Sequence, residues 1–418
     1  MTSNGPWRDT GRRQQSTPYV EAGTNPTWIG NVSPVDYRPA PGHEGGPVRP
    51  IFPGPPPVPR RGPRGPLLPL LLSGGGIALL SLVVVVPYLL SNTGVAGFTV
   101  GFVASLVPLS AVLFTVYFID RWEPEPKGLL LFAFTWGAAV SIAGTLLIQP
   151  LFAVAAPRTS EEEYLFFMAT VQAPVVEELT KALGLLLLLL GARKYFDGPV
   201  DGVVFAFTIA GGFAFTENIL YFGSEIATST DPGGDFVQVF ILRGIMSPFA
   251  HAIFTGTTGL IMGFAARRWH SGQSVLAFFV GLVPAMILHN RWNSMGQDFL
   301  AQYLGVQVPI FIVAIVAIAL LRAAERKLTR QRLMEYAHAG WFTPLEVEML
   351  ATPRGRRSAV QWARQRGRER QMKAFVQAAT DLALTRQRIL SGRDVVRHQD
   401  DEMRQLAHIL PLRNAVAA

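Results

Sequence analysis

Between Leu67 and Leu321 the sequence is a succession of apolar runs separated by short polar joints, and this limits the fold more than any other feature of the chain. Crossing a hydrocarbon core about 30 Å thick takes about 20 apolar residues in a helix. Eight runs meet that length within ordinary tolerance: 67–90, 98–119, 128–152, 164–190, 200–222, 236–266, 275–290 and 306–321. Lipid offers no partner to an exposed backbone amide, so each run is expected to be helical. The fold class that follows is all-α, a polytopic transmembrane bundle of about eight helices. Composition agrees, with 49% hydrophobic and 16% charged residues in a chain of 418 and a mean hydropathy of +0.28.

The flanks divide the chain into three. Residues 1–66 are rich in Pro, Gly and polar side chains without apolar periodicity, and are expected to form a disordered tail. This stretch also separates the first apolar run from the N-terminus, so that run is expected to be retained as a span, not cleaved as a signal peptide. Residues 67–322 form the membrane domain. Residues 323–418 mix charged and apolar residues at helical spacing, with breaks near Gly340, Pro344 and Pro353, and are expected to form a basic tail of short amphipathic helices. Its arginines, Arg354, Arg356, Arg357, Arg364, Arg366, Arg368 and Arg370, suit either a solvated tail or a contact with anionic lipid or a partner. The net charge of +8 therefore sits mainly on the flanks of a membrane protein and does not suggest nucleic-acid binding. Arg121 with Lys127, Arg193 with Lys194, and Arg267 with Arg268 fall in alternate loops, on the side of both basic flanks. The positive-inside rule puts both termini in the cytoplasm, in a cell membrane expected to be the bacterial plasma membrane. Without cysteine, any metal must be held by His, Asp or Glu.

Ionisable groups inside a span cost several kcal/mol unless paired or solvated, so each is a candidate functional residue. They gather in four successive runs. The fourth carries Glu177, Glu178 and Lys181, with the lysine placed four and three residues on, able to pair with either carboxylate. The fifth sets Glu217 and Tyr221 four apart with Asn218 alongside, and Gly211 and Gly212 allow close helix approach there. The sixth aligns Arg243, Ser247, His251 and Thr255 at intervals of four. A serine-hydrolase reading of Ser247 and His251 lacks a nucleophile elbow and an independent Asp, and Ser247 is expected to bond to its own backbone, with Arg243 snorkelling or pairing with Glu217. The seventh carries His289 and Asn293 four apart, beside Trp292. Antiparallel passage brings Glu177 and His251 to mid-depth and Glu217 and His289 toward the outer half, so one shared site is feasible. Pro174, Pro248 and Pro284, a turn or so before these groups, can kink the helices and admit water. A carboxylate beside water and two imidazoles can activate that water with or without zinc.

Taken together, Glu177-Glu178-x-x-Lys181, Glu217-Asn218-x-x-Tyr221, His251 and His289-x-x-x-Asn293 resemble the PrsW family of intramembrane proteases, related to the CAAX prenyl endopeptidases and Abi proteins. The resemblance spans approximately residues 129–321 and neither tail. It implies hydrolysis of a peptide bond in a single-span membrane protein, such as an anti-sigma factor in envelope-stress signalling, and contact with membrane lipids. By that resemblance Glu177 would be the general base with Glu178 in support. Glu217, His251 and His289 would bind a metal, Zn2+, or polarise the water in a metal-independent glutamate mechanism. Asn293 would stabilise the oxyanion, and Lys181 and Tyr221 would orient the carboxylates. Two other readings stand beside it. One is a transporter or receptor using the same Glu and His for proton relay or ligand binding. The other is an inert scaffold, against which the complete set of polar groups argues.

Overall fold

The computed structural model describes residues 67–157, 160–269, 271–296, 298–392 and 395–417. The tail expected at 1–66 lies outside the described residues. Among these, every regular element is a helix and no strand occurs. In order they are α1 (Leu67–Asp120), α2 (Lys127–Thr135), α3 (Ile142–Ala155), α4 (Glu161–Phe167), α5 (Ala173–Gly191), α6 (Pro199–Thr228), α7 (Pro232–Phe240), α8 (Ala250–Arg268), α9 (Ser271–Asn293), α10 (Phe299–Gln302), α11 (Val308–His338), α12 (Pro344–Ala351), α13 (Pro353–Arg364), α14 (Glu369–Leu390) and α15 (Val395–Ala417). Wide π turns at Trp136–Ser141, Met168–Gln172 and Tyr303–Gln307 join α2 to α3, α4 to α5 and α10 to α11, and a fourth at Ile241–Met246 extends α7.

Among the described residues, six helical runs are long and apolar enough to cross a membrane. The expected eight passes are recovered once α1 is divided in two and the α4–α5 run is added. A straight α1 of 54 residues would be about 80 Å long, more than twice a bilayer core. It is broken at Gly94, where φ is 62° and ψ 175°, a conformation open to glycine. Leu70 packs against Gly191 at the end of α5, while Val112, Val116 and Ile119 pack against Val200, Val203 and Val204 at the start of α6. Gly191 and Pro199 are joined by a short loop, so both ends of α1 lie on one side and α1 is a hairpin of two spans. The continuous α4–α5 run falls outside the six because its middle carries Glu177, Glu178 and Lys181. It supplies the remaining pass.

α6 is the hub. It is the most buried of the six, with 78% of its apolar window inside the protein, and its neighbours meet it backbone to backbone. A Cβ at Gly137 would lie 1.8 Å from the Ile209 carbonyl oxygen, and one at Gly202 would lie 2.0 Å from that of Gly259. Gly212, expected to allow close approach, faces the Phe134 carbonyl at 2.2 Å on the same measure. Gly97 and Gly101 in the second arm of α1 face the Gly223 and Ile219 carbonyls in the same way, so α2, α8 and that arm all lie directly against α6.

The basic loops converge on one side. Arg193 donates to the Phe196 carbonyl at 2.5 Å and to that of Ala266 at 2.6 Å, tying the α5–α6 loop to the end of α8. α11 runs unbroken across residues 322 and 323, out of its apolar stretch into the C-terminal region. There Leu333 and Tyr336 of α11 join Val347, Leu350, Ala363, Phe375, Leu382 and Ile409 in a second hydrophobic core. The C-terminal helices are thus a packed bundle, not a loose tail, because α12–α15 present apolar faces to one another and to α11. Local signals set their ends. Gly340 turns at φ 83° after α11, Thr343 and Glu346 form a capping box on α12, and Thr352 caps α13. The bundle docks on the membrane helices through Trp122, which donates to Thr329 Oγ1 at 3.2 Å. Arg388 of α14 reaches both Asp197 and Glu123, in two different loops.

Candidate active site

The site forms where α5, α6, α8 and α9 face one another. The π turn at Met168–Gln172 and Pro174 in the first turn of α5 set the approach of that helix. Pro248 falls in the break between the Ile241–Met246 turn and α8. A proline there has no amide hydrogen to continue the helix, so the chain bends, with Arg243 on one side of the bend and His251 on the other.

Glu178 is fully buried and every one of its neighbours donates to it. Lys181 Nζ lies 2.6 Å and His289 Nδ1 3.0 Å from its Oε1, and Thr255 Oγ1 donates to Oε2 at 2.8 Å. An ionised carboxylate only accepts, so His289 carries its proton on Nδ1 and leaves Nε2 with a free lone pair. Phe254 stacks on this ring, 5.1 Å between centroids, and holds its plane. Glu217 is the second anchored carboxylate. Arg243 binds it at 2.5 Å and His251 Nε2 at 2.9 Å, while Arg243 Nε also donates to Asn218 Oδ1 at 2.9 Å. His251 therefore carries its proton on Nε2, and its Nδ1 accepts from Lys181 Nζ at 3.3 Å.

Glu177 is different. Its Oε2 is buried and has no hydrogen-bond partner. Lys181 Nζ is 3.8 Å away and His289 Nε2 is 3.9 Å away, both beyond hydrogen-bond reach. As a carboxylate, Glu177 thus faces a second lone pair, that of His289, across a gap containing no donor. A water molecule, which donates twice, or a cation, which accepts lone pairs, resolves such an arrangement. Ligand atoms of Glu177, His251 and His289 all lie within 4.8 Å of one another. Two imidazoles and a carboxylate suit a zinc-type ion, with Glu178 behind His289 and Glu217 behind His251 as outer partners. An ion held by all three exchanges for one present partner of His251, Lys181 or Glu217.

The structure therefore brings Glu177, Glu178, Lys181, Glu217, His251 and His289 into one cluster. Two expected members stand at its edge. Tyr221 is 41% exposed, and its ring lies beneath the Arg243 guanidinium at 3.8 Å, so it acts on Glu217 through Arg243. Asn293 Nδ2 donates to the Ala169 carbonyl at 2.7 Å, and Asn290 does the same to Thr170 at 2.5 Å, clamping the end of α9 to the π turn before α5. Ser247 donates to the Leu242 carbonyl at 2.7 Å, the backbone bond expected of it. Thr255 carries more than the sequence reading assigned to it, although its place four residues after His251 on one stripe was a usable signal. A cavity of about 10 Å³ between Asn218, Arg243, Pro248, His251 and Trp292 has room for about one water.

Residues 125–320 match the family model described as PrsW family intramembrane metalloprotease, a stretch that holds every residue of the cluster. Over 223 residues the chain is 27% identical to Protease PrsW of Oceanobacillus iheyensis, covering 52% of this chain and 92% of that protein. It is 28% identical over 192 residues to Protease PrsW of Clostridioides difficile, covering 46% and 77%. Protease PrsW of Bacillus subtilis is 27% identical over 197 residues, covering 46% and 79%. No solved structure matches.

Proposed function

We propose that this chain, whose residues 125–320 belong to the PrsW family, is an intramembrane protease that hydrolyses a peptide bond of a membrane-anchored protein with water activated at Glu177. The observation that carries the reading is the unpartnered Glu177 carboxylate facing the free lone pair of His289 inside a buried cluster. Water seated in that gap gives its proton to Glu177 as it attacks the carbonyl carbon. Negative charge then develops on the carbonyl oxygen beside the buried Lys181 ammonium, where a low dielectric makes the attraction strong. As the C–N bond breaks, Glu177 returns the proton to the leaving amine. Glu178 holds Lys181 and His289 in place, and Glu217, held by Arg243 over Tyr221, fixes the tautomer of His251. A divalent ion, Zn2+ by donor chemistry, would be held by Glu177, His251 and His289 and would supply Lewis acidity to the same water. Glu217 then stands behind His251 as its outer partner, the role that Glu178 has toward His289. Asn293 would take part in oxyanion binding by exchanging its Ala169 partner for substrate.

The substrate class is a single-span membrane protein, with an anti-sigma factor as the family's type. The positive-inside rule places the basic loops and the C-terminal bundle in the cytoplasm. In cells co-expressing a candidate single-span substrate, Glu177→Gln and His289→Ala are expected to abolish cleavage at unchanged protein abundance, while Ser247→Ala leaves it intact. Cleavage that survives both of the first two changes would remove the assignment and favour a transporter or receptor.

A further inference from the structure

Five arginines from three elements converge where the membrane helices meet the C-terminal bundle, around a cavity of about 970 Å³. Arg121 follows α1, Arg322 and Arg326 lie about one turn apart on α11, and Arg356 and Arg357 sit in the first turns of α13. Among the described residues none of the five has a carboxylate within 4.0 Å. Arg364 and Lys373 on the same cavity differ, since both are already engaged by Glu369. Aromatic faces stand where anions would be expected. Arg322 lies over Phe118 at 4.3 Å, and Arg356, over Trp122 at 3.4 Å, is held in place by donating to the Leu350 and Trp122 carbonyls and to Thr380 Oγ1. Burial weighs most on Arg322, where the attraction of Glu325 opposes the like charges of Arg326 and Arg121. Burial pushes the Arg356 guanidinium down to about 9 in spite of Glu325.

Gathering five guanidinium groups with Glu325 as their shared, non-contacting counter-charge is unfavourable, and an anion among them turns repulsion into charge-assisted hydrogen bonds. The walls indicate which anion. Tyr117 and Phe118, 64% and 51% exposed, and Ala319 line the side that continues into the apolar stretches of α1 and α11. The arginines of α13 line the cavity from the C-terminal bundle. A ligand filling this space meets hydrocarbon on one side and fixed positive charge on the other, the profile of a lipid headgroup at the membrane boundary.

We propose that this cavity binds a phosphate group, and that the group belongs to an anionic phospholipid held between α1, α11 and α13. The five arginines lie outside residues 125–320 and the cavity shares no residue with the Glu177 cluster, so it stands or falls separately from the proteolytic reading. Its occupant touches both the membrane helices and the C-terminal bundle and fastens one to the other.

The test uses the full chain in detergent, with phosphatidylglycerol, phosphatidylcholine or inorganic pyrophosphate added in separate arms, read by native mass spectrometry and by thermal unfolding. Phosphatidylglycerol is expected to be retained and to raise Tm, and phosphatidylcholine is not. The double change Arg322→Gln with Arg326→Gln is expected to weaken retention roughly thirtyfold, the factor two arginines contribute at an anionic surface. Arg357→Gln weakens it less, and Arg397→Gln with Arg404→Gln, at exposed positions of α15, leaves it unchanged. Without added lipid the Arg322/Arg326 variant should unfold at or above the wild-type temperature, because repulsion is relieved. Equal retention of the two lipids, undiminished retention by the Arg322/Arg326 variant, or equal loss in the α15 control would overturn the site. Stabilisation by pyrophosphate without retention of phosphatidylglycerol would overturn the lipid and leave a soluble phosphate.

Discussion

Glu177 and Glu178 are neighbours of the same chemical type, and replacing each by Gln should give opposite phenotypes. In Glu178→Gln the fully buried Lys181 loses the negative charge 2.6 Å from its ammonium. Removing one partner of a buried pair costs about 3–5 kcal/mol. Glu177, still 3.8 Å from Lys181, recovers part of the attraction, so the lower end, about 3 kcal/mol, is expected. For a chain of 418 residues that is a fall in Tm of about 3–4 °C. Glu177→Gln removes a group with no hydrogen bond on Oε2 and relieves repulsion from Glu178 and Glu217, so its stability should stay within about 1 kcal/mol of wild type while cleavage is lost. Both variants would be unfolded in the same micelles at one heating rate, since membrane proteins often unfold irreversibly, and assayed on the same substrate. A wild-type Tm for Glu178→Gln, or an equal fall for Glu177→Gln, would refute the division between an anchored and a reactive carboxylate.

Elemental analysis of purified protein should find about one divalent ion per chain if the three-donor set is occupied, and none in a His251→Ala, His289→Ala double variant. Active protein that carries no metal would assign the water to Glu177 and the imidazoles alone. In the α1–α2 loop, burial and the charges of Asp201, Glu123 and Asp120 hold the Glu125 carboxyl well above its ordinary 4.5. Its folded pKa is raised, so its contribution is intact below the ordinary value and is lost as pH rises through the folded one. Thermal unfolding followed against pH should therefore show Tm falling above the ordinary carboxylate range, and Glu125→Gln should flatten that fall. Gly137→Ala puts a methyl group 1.8 Å from the Ile209 carbonyl oxygen and should cost about 1–3 kcal/mol or more, read as lost monodisperse yield and lower Tm. Gly75→Ala, with nothing within 4 Å, should be neutral or slightly stabilising.

The membrane architecture was legible because lipid enforces helices and a bilayer sets their length. The polar cluster was legible for a related reason, since charged residues are too costly in a span to be incidental. Lys181 could be placed beside both glutamates from spacing alone. Which glutamate is satisfied could not, because that depends on the rotation of α5 against α8 and α9, where Thr255 and His289 lie. The same limit explains Glu217. The family resemblance puts it among the candidate ligands, but Arg243 and His251 Nε2 already hold it, and Glu177 is the carboxylate grouped with the two imidazoles. Asn293, assigned to the oxyanion by the family resemblance, donates here to the Ala169 carbonyl of the π turn before α5, a contact that spacing alone does not reveal. The C-terminal core was hidden by its many charges, since the apolar faces of α12–α15 are narrow and recognisable only against each other.

The glycine crossings on α6 have a consequence for how such a protein can change over time. Where main chain rests on main chain, the spacing between helices is set by peptide geometry and owes nothing to the size of the surrounding side chains. The outward surfaces of α1, α3 and α11 can then be rewritten residue by residue, to suit a thicker bilayer or a different lipid mixture, without moving the groups around Glu177. A chain only 27% identical to a relative over 223 residues has abundant freedom of that kind.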